Sequence, residues 1–424
     1  MSQPARRASY TMSIVIIGTL FFIFGFVTWL NGTLIPYLKI ACELKTDFQA
    51  FLVVTAFFIA YTVMAIPSSL VLRKTGYKKG MALGLLIMAI GAILFVPAAN
   101  SRNFNLFLVG LFIIGTGLAL LQTASNPYAT IIGPIESAAM RISILGICNK
   151  VAGILAGLIF GYIALNDADS LIAALQTMDA VTKEATLSEL AGRVIIPYII
   201  ISGTLVLLAI GVLFSGLPDL DDNGSSNDHQ TSAKHAGKTS VFQFPHLVLG
   251  VGALFFYVGV EVLAGDTIIS YGKSLGIGLA VARYFTQATL GFMLVGYVVG
   301  IFAIPKYLSQ SNALKICALL GIVFSVAAIL SDGYVSVGFI AALGLANSLM
   351  WPAIFPLAIT GLGKFTKIGS ALLIMAIAGG AVLPLLYGRL SELWNTQQAY
   401  WIMVPCYFFI LYYAARGYKA GRPI

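Results

Sequence analysis

Charged side chains are scarce in this sequence: Asp, Glu, Lys and Arg together make up 10% of its 424 residues, against 59% that are hydrophobic. Soluble domains carry roughly a quarter charged residues. So few charges cannot cover the surface of a water-soluble protein of this length. The composition therefore excludes a soluble globular protein and indicates a chain that lies in a lipid bilayer.

Motifs for catalysis or metal binding are missing as well. The sequence contains no HExxH, GxSxG or phosphate-binding loop motif, and these motifs are marks of particular enzyme classes. The four cysteines, Cys42, Cys148, Cys317 and Cys406, are scattered and form no CxxC pair. We therefore predict neither an enzyme nor a disulfide framework or zinc site, and expect the cysteines to pack as small apolar residues.

Long apolar runs are abundant. Each is long enough to cross a hydrocarbon core of about 30 Å as a helix, and none alternates polar with apolar residues as barrel strands do. The runs predict an all-α membrane protein with twelve transmembrane helices. The predicted spans are 11–38, 48–72, 80–99, 104–130, 140–165, 194–216, 246–271, 281–305, 313–331, 334–361, 368–390 and 398–415.

A polar segment, GLPDLDDNGSSNDHQTSAKHAGKTS, follows the sixth span. Its Gly, Ser and charged residues are typical of a flexible linker. The segments GLALLQTASNPYATIIGP and GLANSLMWPAIFPLAITGLG, which begin at residues 117 and 344, are weakly similar. We predict a six-helix bundle at 1–216, a cytoplasmic linker at 217–245 and a second six-helix bundle at 246–424, as in two-bundle secondary transporters.

The net charge of +9 is explained by where the basic residues lie. They cluster in loops that would share one side of the membrane with both termini, such as RKTGYKK at 73–79. By the positive-inside rule that side is cytoplasmic. The excess charge thus predicts the orientation of the chain in a cell membrane, the bacterial inner membrane, and gives no reason to expect nucleic acid as a partner.

Polar side chains recur inside the predicted spans. Because such a side chain is costly in lipid unless it faces a partner or a water-filled cavity, each is a candidate for function. Gln122 and Asn126 lie four residues apart, on one face of the fourth span, directly before Pro127. The others are Asn31 in the first span, Asn149 and Lys150 in the fifth, Tyr257, Glu261 and Asp266 in the seventh, Gln287 in the eighth, and Asn347 and Trp351 in the tenth.

This set is rich in amides and holds few charges. Amides donate to and accept from hydroxyl groups, and an aromatic ring packs against the apolar face of a sugar. We therefore predict that these residues bind a neutral hexose between the two bundles. Asn and Gln also join neighbouring helices in membranes, and Trp351 also suits ordinary packing, so each residue taken alone has a structural alternative.

Three charged side chains lie within the spans. Lys150 is too deep to reach the membrane surface, so we expect an acidic partner or a sugar hydroxyl beside it. Glu261 is the deepest carboxylate; it either pairs with Lys150 or binds substrate or a coupling cation. Asp266, five residues further on, is expected on a different face nearer the outer surface, where a coupling role and a capping role are both open.

Three longer strings carry a resemblance: FFIFGFVTWLNGTLIPYLK, FLVGLFIIGTGLALLQTASNPYATIIGP and MWPAIFPLAITGLGKFTKIGSALLIMAIAGGAVLP. They are similar to the fucose, glucose and galactose permeases of the major facilitator superfamily, and LNG, LQTASNPY and ESAAMRIS resemble the glucose/galactose and N-acetylglucosamine branch. The resemblance implies two six-helix bundles that give alternating access to a sugar site in a monomeric permease. The sugar-binding residues that it implies are Asn31, Gln122, Asn126, Asn149, Glu261, Asn347 and Trp351.

The resemblance also bears on how transport is driven. Fucose permease carries a proton-coupling pair, an aspartate in the first span and a glutamate in the fourth, where this chain has Gly32 and Gln122. Neither of these titrates, so Glu261 becomes the coupling candidate, and a carboxylate beside amide oxygens suits a hard cation. We expect sodium-coupled symport with sodium at Glu261 and Asp266 as a second coupling residue. Proton coupling, uncoupled diffusion and N-acetylglucosamine as the substrate are the alternatives.

Overall fold

The structure is a computed structural model that describes residues 3–131, 138–217, 239–304, 306–362 and 365–421. Every regular element in these ranges is a helix. The helices before the linker, here called the first half, are α1 (Gln3–Thr28), α2 (Asn31–Ala41), α3 (Asp47–Ile93), α4 (Phe95–Asn100), α5 (Phe104–Ile131), α6 (Ala138–Leu165), α7 (Ala168–Leu175), α8 (Ala180–Gly192) and α9 (Ile195–Phe214).

The second half follows the linker. Its α-helices are α10 (Pro245–Asp266), α11 (Ile268–Ser274), α12 (Leu279–Ala282), α13 (Phe285–Ala303), α14 (Gln310–Leu330), α15 (Gly333–Asn347), α16 (Met350–Ile359), α17 (Thr366–Met375), α18 (Gly379–Leu393) and α19 (Met403–Ala415). Short 3-10 helices lie at Val241–Gln243, Ala376–Ala378, Gln398–Ile402 and Gly417–Lys419. Most of the predicted linker, residues 218–238, lies outside the described residues.

These helices make twelve passes, as the sequence predicts. Ten helical stretches in the described ranges are long and apolar enough to span a bilayer. The longest, Asp47–Asn100, is two passes, because α3 reverses at Gly76, whose φ of 75° lies in the region that favours glycine. Phe57 and Gly84, on its two arms, both contact the same turn of α5 at Gly115 and Gly117. The twelfth and shortest pass is α19 with the 3-10 turn before it.

Several spans that the sequence predicts as continuous are interrupted, and three of these interruptions lie next to predicted site residues. The first span breaks between α1 and α2 at residues 29–30, the seventh at Thr267, and the tenth between α15 and α16 at residues 348–349. The tenth breaks because Pro352 has no N–H to donate to the carbonyl of Ser348, four residues earlier. In the seventh, the Thr267 hydroxyl donates to the carbonyl of Leu263 at 2.7 Å and so competes with the helix.

The loop after the fifth span folds into α7 and α8, which lie at the end of the bundle away from the linker. We call this end, which also carries residues 42–46, the distal end, and the opposite one the linker end. Ion pairs attach α8 to the loops after the first and third passes: Lys183 contacts Glu43 at 2.6 Å, and Glu184 contacts Arg102 at 2.7 Å. The Lys183 ammonium holds the pKa of Glu43 below its ordinary value.

The two halves meet along helices that glycine allows to approach closely. A Cβ on Gly157 of α6 would lie 1.8 Å from the Gln287 amide of α13, and one on Gly380 of α18 would lie 3.1 Å from the Phe58 ring of α3. The Thr55 hydroxyl of α3 also donates to the carbonyl of Ala381 at 2.9 Å. The fifth pass thus packs on the eighth and the second on the eleventh, which leaves a space between the halves.

Candidate functional site

A cavity of about 150 Å³ lies between the two halves. The first half lines it with residues of α1, α3, α5 and α6, and the second with residues of α10, α13 and α16. Along α6 the lining begins at Ile142, near the linker end, and along α10 it reaches Asp266, the last residue of that helix. The cavity therefore occupies the middle of the membrane and extends towards the linker end.

Most of the predicted site residues line this one cavity. Eight of the eleven do so: Gln122, Asn126, Asn149, Lys150, Tyr257, Glu261, Asp266 and Trp351. Residues from four separate helices of the two halves are thereby brought together, as the sequence predicts for a site between the bundles. Their roles in binding stay predictions.

Asn31, Gln287 and Asn347 are buried but are not part of the cavity lining. Asn31 is the first residue of α2, past the break in the first span, and Asn347 is the last residue of α15, where its Oδ1 accepts a hydrogen bond from the Tyr407 hydroxyl at 2.9 Å. Gln287 packs its amide against Gly157 in the interface between the halves. Only the Asn347 amide joins two helices by a hydrogen bond, since those of Asn31 and Gln287 have no partner among the described residues, and contact of the three with a solute is untested.

A buried ion pair crosses the cavity from one half to the other. Lys150 Nζ of α6 donates to Glu261 Oε1 of α10 at 3.0 Å, with 7% and 12% of the two side chains exposed. The ammonium also lies 4.2 Å from the centre of the Trp29 ring, a cation–π contact. Of the two partners expected for Lys150, an acid or a sugar hydroxyl, the structure shows the acid, Glu261, while any binding of substrate or cation by Glu261 stays a prediction.

Asp266 lies elsewhere than the sequence predicts. It is only 1% exposed and lines the same cavity as Glu261, in electrostatic range of both Lys150 and Glu261. The expected position on a different face is wrong, because the cavity is lined by two adjacent rows of α10, and Asp266 continues the row of Val258 and Val262 beside that of Glu261. The described lining therefore holds one ammonium and two carboxylates.

Gly32 provides the room for the Asp266 carboxylate. A Cβ on Gly32 would lie 3.3 Å from Asp266 Oδ1 and 3.1 Å from the Thr286 hydroxyl oxygen. That hydroxyl donates to the carbonyl of Gly265 at 2.7 Å, and Asp266 Oδ1 has no hydrogen-bond donor among the described residues. A carboxylate of the second half thus lies against the position of the first span where fucose permease carries its own aspartate.

Amides and aromatic rings form the neutral wall of the cavity. Gln122 Nε2 donates to the Tyr61 hydroxyl at 3.0 Å. Asn149 Oδ1 accepts from the Trp29 indole at 3.2 Å. On the opposite side, the Trp351 ring lies 6.5 Å from that of Tyr257. Each amide keeps hydrogen-bonding capacity beyond these contacts, because an amide group offers two donors and a two-lone-pair acceptor.

The sequence reasoning missed several aromatic residues, of which Trp29 is the most informative. It is buried between the halves, where a Cβ on Gly153 of α6 or on Gly265 of α10 would lie 2.5 Å and 2.4 Å from its ring. Tyr61 and Tyr297 line the cavity as well. The sequence did contain one signal for Trp29. It lies two residues before Asn31 in the first span, and polar or amphipathic residues inside a span tend to mark the face that points into the protein.

The described residues contain no cluster of three or more His, Cys, Asp and Glu side chains that could hold a metal ion. The described residues therefore offer no ligand set for a transition-metal ion. A sodium ion has different needs, since it takes oxygen ligands from carboxylates, hydroxyls and backbone carbonyls. Asp266 lines the cavity, and behind it the Thr286 hydroxyl and the Gly265 carbonyl add the other two kinds of oxygen.

Comparison with known proteins agrees with this architecture. The family model of the Major Facilitator Superfamily matches residues 17–372. A glucose/galactose transporter of Brucella abortus (strain 9-941) is 32% identical over 422 residues, which cover 99% of this chain and 97% of that protein. An L-fucose-proton symporter of Escherichia coli (strain K12) is 30% identical over 394 residues, 92% of this chain and 89% of that one.

A solved structure of similar fold is that of the transporter FucP in its outward conformation. It covers 96% of this chain and 98% of its own, with 29% sequence identity and a TM-score of 0.73. The similarity extends over both halves, so the twelve-helix architecture is shared along the whole chain.

The described lining of the cavity holds one ammonium and two carboxylates, so substitutions of Lys150 and Glu261 should lower the free energy of unfolding by different amounts. Lys150→Met leaves two buried carboxylates without a cation and is expected to cost about 3–5 kcal/mol, the usual loss when one partner of a buried pair is removed. Glu261→Gln is expected to cost less, because Asp266 still faces the ammonium. The free energy of unfolding is measured by SDS titration in mixed micelles.

The control is Arg389→Met, which removes a single contact from an exposed arginine to Glu392 and should change stability by only about 0–1 kcal/mol. If Glu261→Gln lowers the free energy of unfolding as much as Lys150→Met or more, then Asp266 does not act as a second partner of the Lys150 ammonium.

Proposed function

The chain belongs to the Major Facilitator Superfamily, and on this premise we propose that it imports a neutral hexose into the cell together with a cation, by alternating access. Its relatives are transporters and not enzymes. The observation that carries the proposal is a cavity between the two halves that combines amides, aromatic rings and one carboxylate in excess of its cation.

The neutral wall supports a sugar as the solute. Gln122, Asn126 and Asn149 bring three amides to one side of the cavity, and Trp351 and Tyr257 bring aromatic rings to the other. This division suits a pyranose, which has hydroxyls around its edge and apolar C–H groups on its face. A relative named as a glucose/galactose transporter makes glucose and galactose the first candidates. N-acetylglucosamine is the next.

The charges support coupling to a cation. Two carboxylates and one ammonium leave the cavity with one formal negative charge, and an uncompensated charge is costly within a membrane protein. A monovalent cation that enters with the sugar would remove this charge. Glu261 and Asp266 are the proposed coupling residues. Asp266 is the better placed of the two, because Lys150 already neutralises Glu261.

Sodium is the cation that we propose, because carboxylate, hydroxyl and carbonyl oxygens lie together near Asp266. A proton is the second candidate, and the relatives named as L-fucose-proton symporters favour it. Uncoupled diffusion is the third, because the ion pair of Lys150 and Glu261 could serve packing alone.

The basic loops support an orientation in the membrane. Positively charged loops are retained in the cytoplasm, so we propose that both termini and the linker end face the cytoplasm of a bacterial inner membrane. The distal end then faces outwards. The protein is proposed to act as a monomer, since each chain holds a complete cavity between its own halves.

The proposal is tested by uptake of radiolabelled glucose into proteoliposomes of the purified protein. An inward sodium gradient, an inward proton gradient and no gradient are compared. Accumulation above equilibrium with sodium alone is expected. Accumulation with protons alone would replace sodium by the proton, and equilibration under all three conditions would leave a facilitator. If glucose does not enter, galactose and N-acetylglucosamine are tried, and no uptake of any would contradict hexose transport.

The amide wall is tested with Gln122→Ala. A sugar hydroxyl that loses its amide partner in a buried site costs about 1–3 kcal/mol, which weakens the affinity roughly 5-fold to 150-fold. Binding of the transported sugar is measured by isothermal titration calorimetry. Thr204→Ala, on the lipid-facing side of α9, is the control and should leave affinity unchanged. Unaltered affinity in Gln122→Ala would assign this residue to packing alone.

The coupling residues are tested with Asp266→Asn and Glu261→Gln. Each removes the excess negative charge, so each should abolish accumulation while equilibrium exchange of sugar, measured by counterflow, persists. Asp332→Asn changes an exposed carboxylate outside the cavity and is expected to accumulate sugar normally. Normal accumulation in both cavity variants would rule out this coupling mechanism.

A further inference from the structure

Two carboxylates join the halves at the distal end through the same kind of contact. Asp169 Oδ2 of the first half accepts a hydrogen bond from the Ala280 N–H of the second half at 3.1 Å. Glu392 Oε1 of the second half accepts one from the Phe48 N–H of the first half, also at 3.1 Å. Each half thus supplies one carboxylate and receives one.

The two contacts also match in their position on the helix. Ala280 is the second residue of α12, and Phe48 is the second residue of α3. The first N–H groups of a helix have no partner within it and lie at the positive end of its dipole. Each carboxylate therefore satisfies an otherwise unpaired donor on the opposite half.

The internal repeat relates one contact to the other. Asp169 follows the fifth pass and contacts the start of the eighth, whereas Glu392 ends the eleventh pass and contacts the start of the second. A shift by six passes converts the first contact into the second. Two unrelated surface contacts would not be expected to obey the symmetry of the repeat.

The residues that precede the two helices allow each carboxylate to reach its N–H donor. Gly278 precedes α12, and a Cβ there would lie 2.9 Å from Asp169 Oδ2. At α3, the Thr46 side chain accepts from the Gln49 N–H at 3.2 Å and leaves the Phe48 N–H to Glu392. In both cases the helix relies on the other half for part of its N-terminal hydrogen bonding.

The helices around these contacts are closed tightly against each other. A Cβ on Gly388 of α18 would lie 2.7 Å from the Phe51 ring of α3. On the other side, the Arg283 guanidinium donates to the carbonyl of Gly161 on α6 at 3.1 Å. The distal end is thus held together on both sides of the cavity, which itself extends towards the linker end.

We propose that Asp169 and Glu392 are paired latches that hold the distal end closed, and that both release when the cavity opens at that end. Release is inexpensive, because both carboxylates are at the surface and water replaces the protein donor. Access can therefore alternate without breaking a buried ion pair at this end. The inference concerns the motion of the two halves and holds for any solute or cation.

The latches are tested by the distance between spin labels on the two halves. Ser188→Cys on α8 and Val335→Cys on α15 place exposed labels at the distal end of the first and the second half. The full chain is used in lipid nanodiscs, with its four native cysteines replaced by alanine. Double electron–electron resonance then gives the populations of the short and the long distance, which report the closed and the open distal end.

Asp169→Ala and Glu392→Ala are each expected to raise the ratio of open to closed population about five-fold, and the double variant about 25-fold, since the two sites are independent. Asp169→Asn and Glu392→Gln keep the shape and remove the charge, so they serve if the alanine variants fold poorly. They should shift the ratio in the same direction by a smaller factor.

Asp179→Ala is the matched control. Asp179 also accepts from helix N–H groups, those of Val181 and Thr182 in α8, but within its own half. It should leave the distance distribution unchanged. The latch proposal is overturned if the double variant has the distribution of the parent protein, or if Asp179→Ala shifts it to the same extent.

Discussion

The structure depends on one electrostatic constraint: an ammonium buried in mid-membrane needs a carboxylate beside it. Lys150 is carried by α6 in the first half, and its partner Glu261 is carried by α10 in the second. Neither half alone satisfies the charge that it contributes. The site exists only where the two halves meet, and the amides and aromatic rings of the cavity surround this pair.

Close packing around the pair follows from small residues at the crossing points. Trp29 lies between the halves because Gly153 and Gly265 leave space for its ring, one on each side. Gly32, which has no side chain, leaves space for the Asp266 carboxylate. The first span of this chain therefore presents backbone where fucose permease presents an acid, and the second half supplies the acid instead.

The sequence predicted the membrane class, the twelve passes and most members of the cavity, because hydropathy and buried polarity follow directly from residue type. The pairing of Lys150 with an acid was predictable for the same reason. The place of Asp266 was not, because a spacing of five residues in an ideal helix puts it on another face. The cavity takes in two adjacent rows of α10, and the width of that face depends on how the neighbouring helices pack, which a single sequence does not contain. Trp29 had a weak signal in the sequence, its place inside a span beside Asn31, but its contacts with Gly153 and Gly265 exist only in the fold.

We propose that one positive charge enters with each sugar and balances the second carboxylate of the cavity. The most direct measurement is the current from proteoliposomes on a solid-supported membrane when sugar is added in the presence of sodium or at acidic pH. We expect a sugar-dependent movement of positive charge into the liposomes, which is lost when Asp266 is changed to asparagine. Sugar uptake that proceeds at the normal rate without any movement of charge would contradict this proposal.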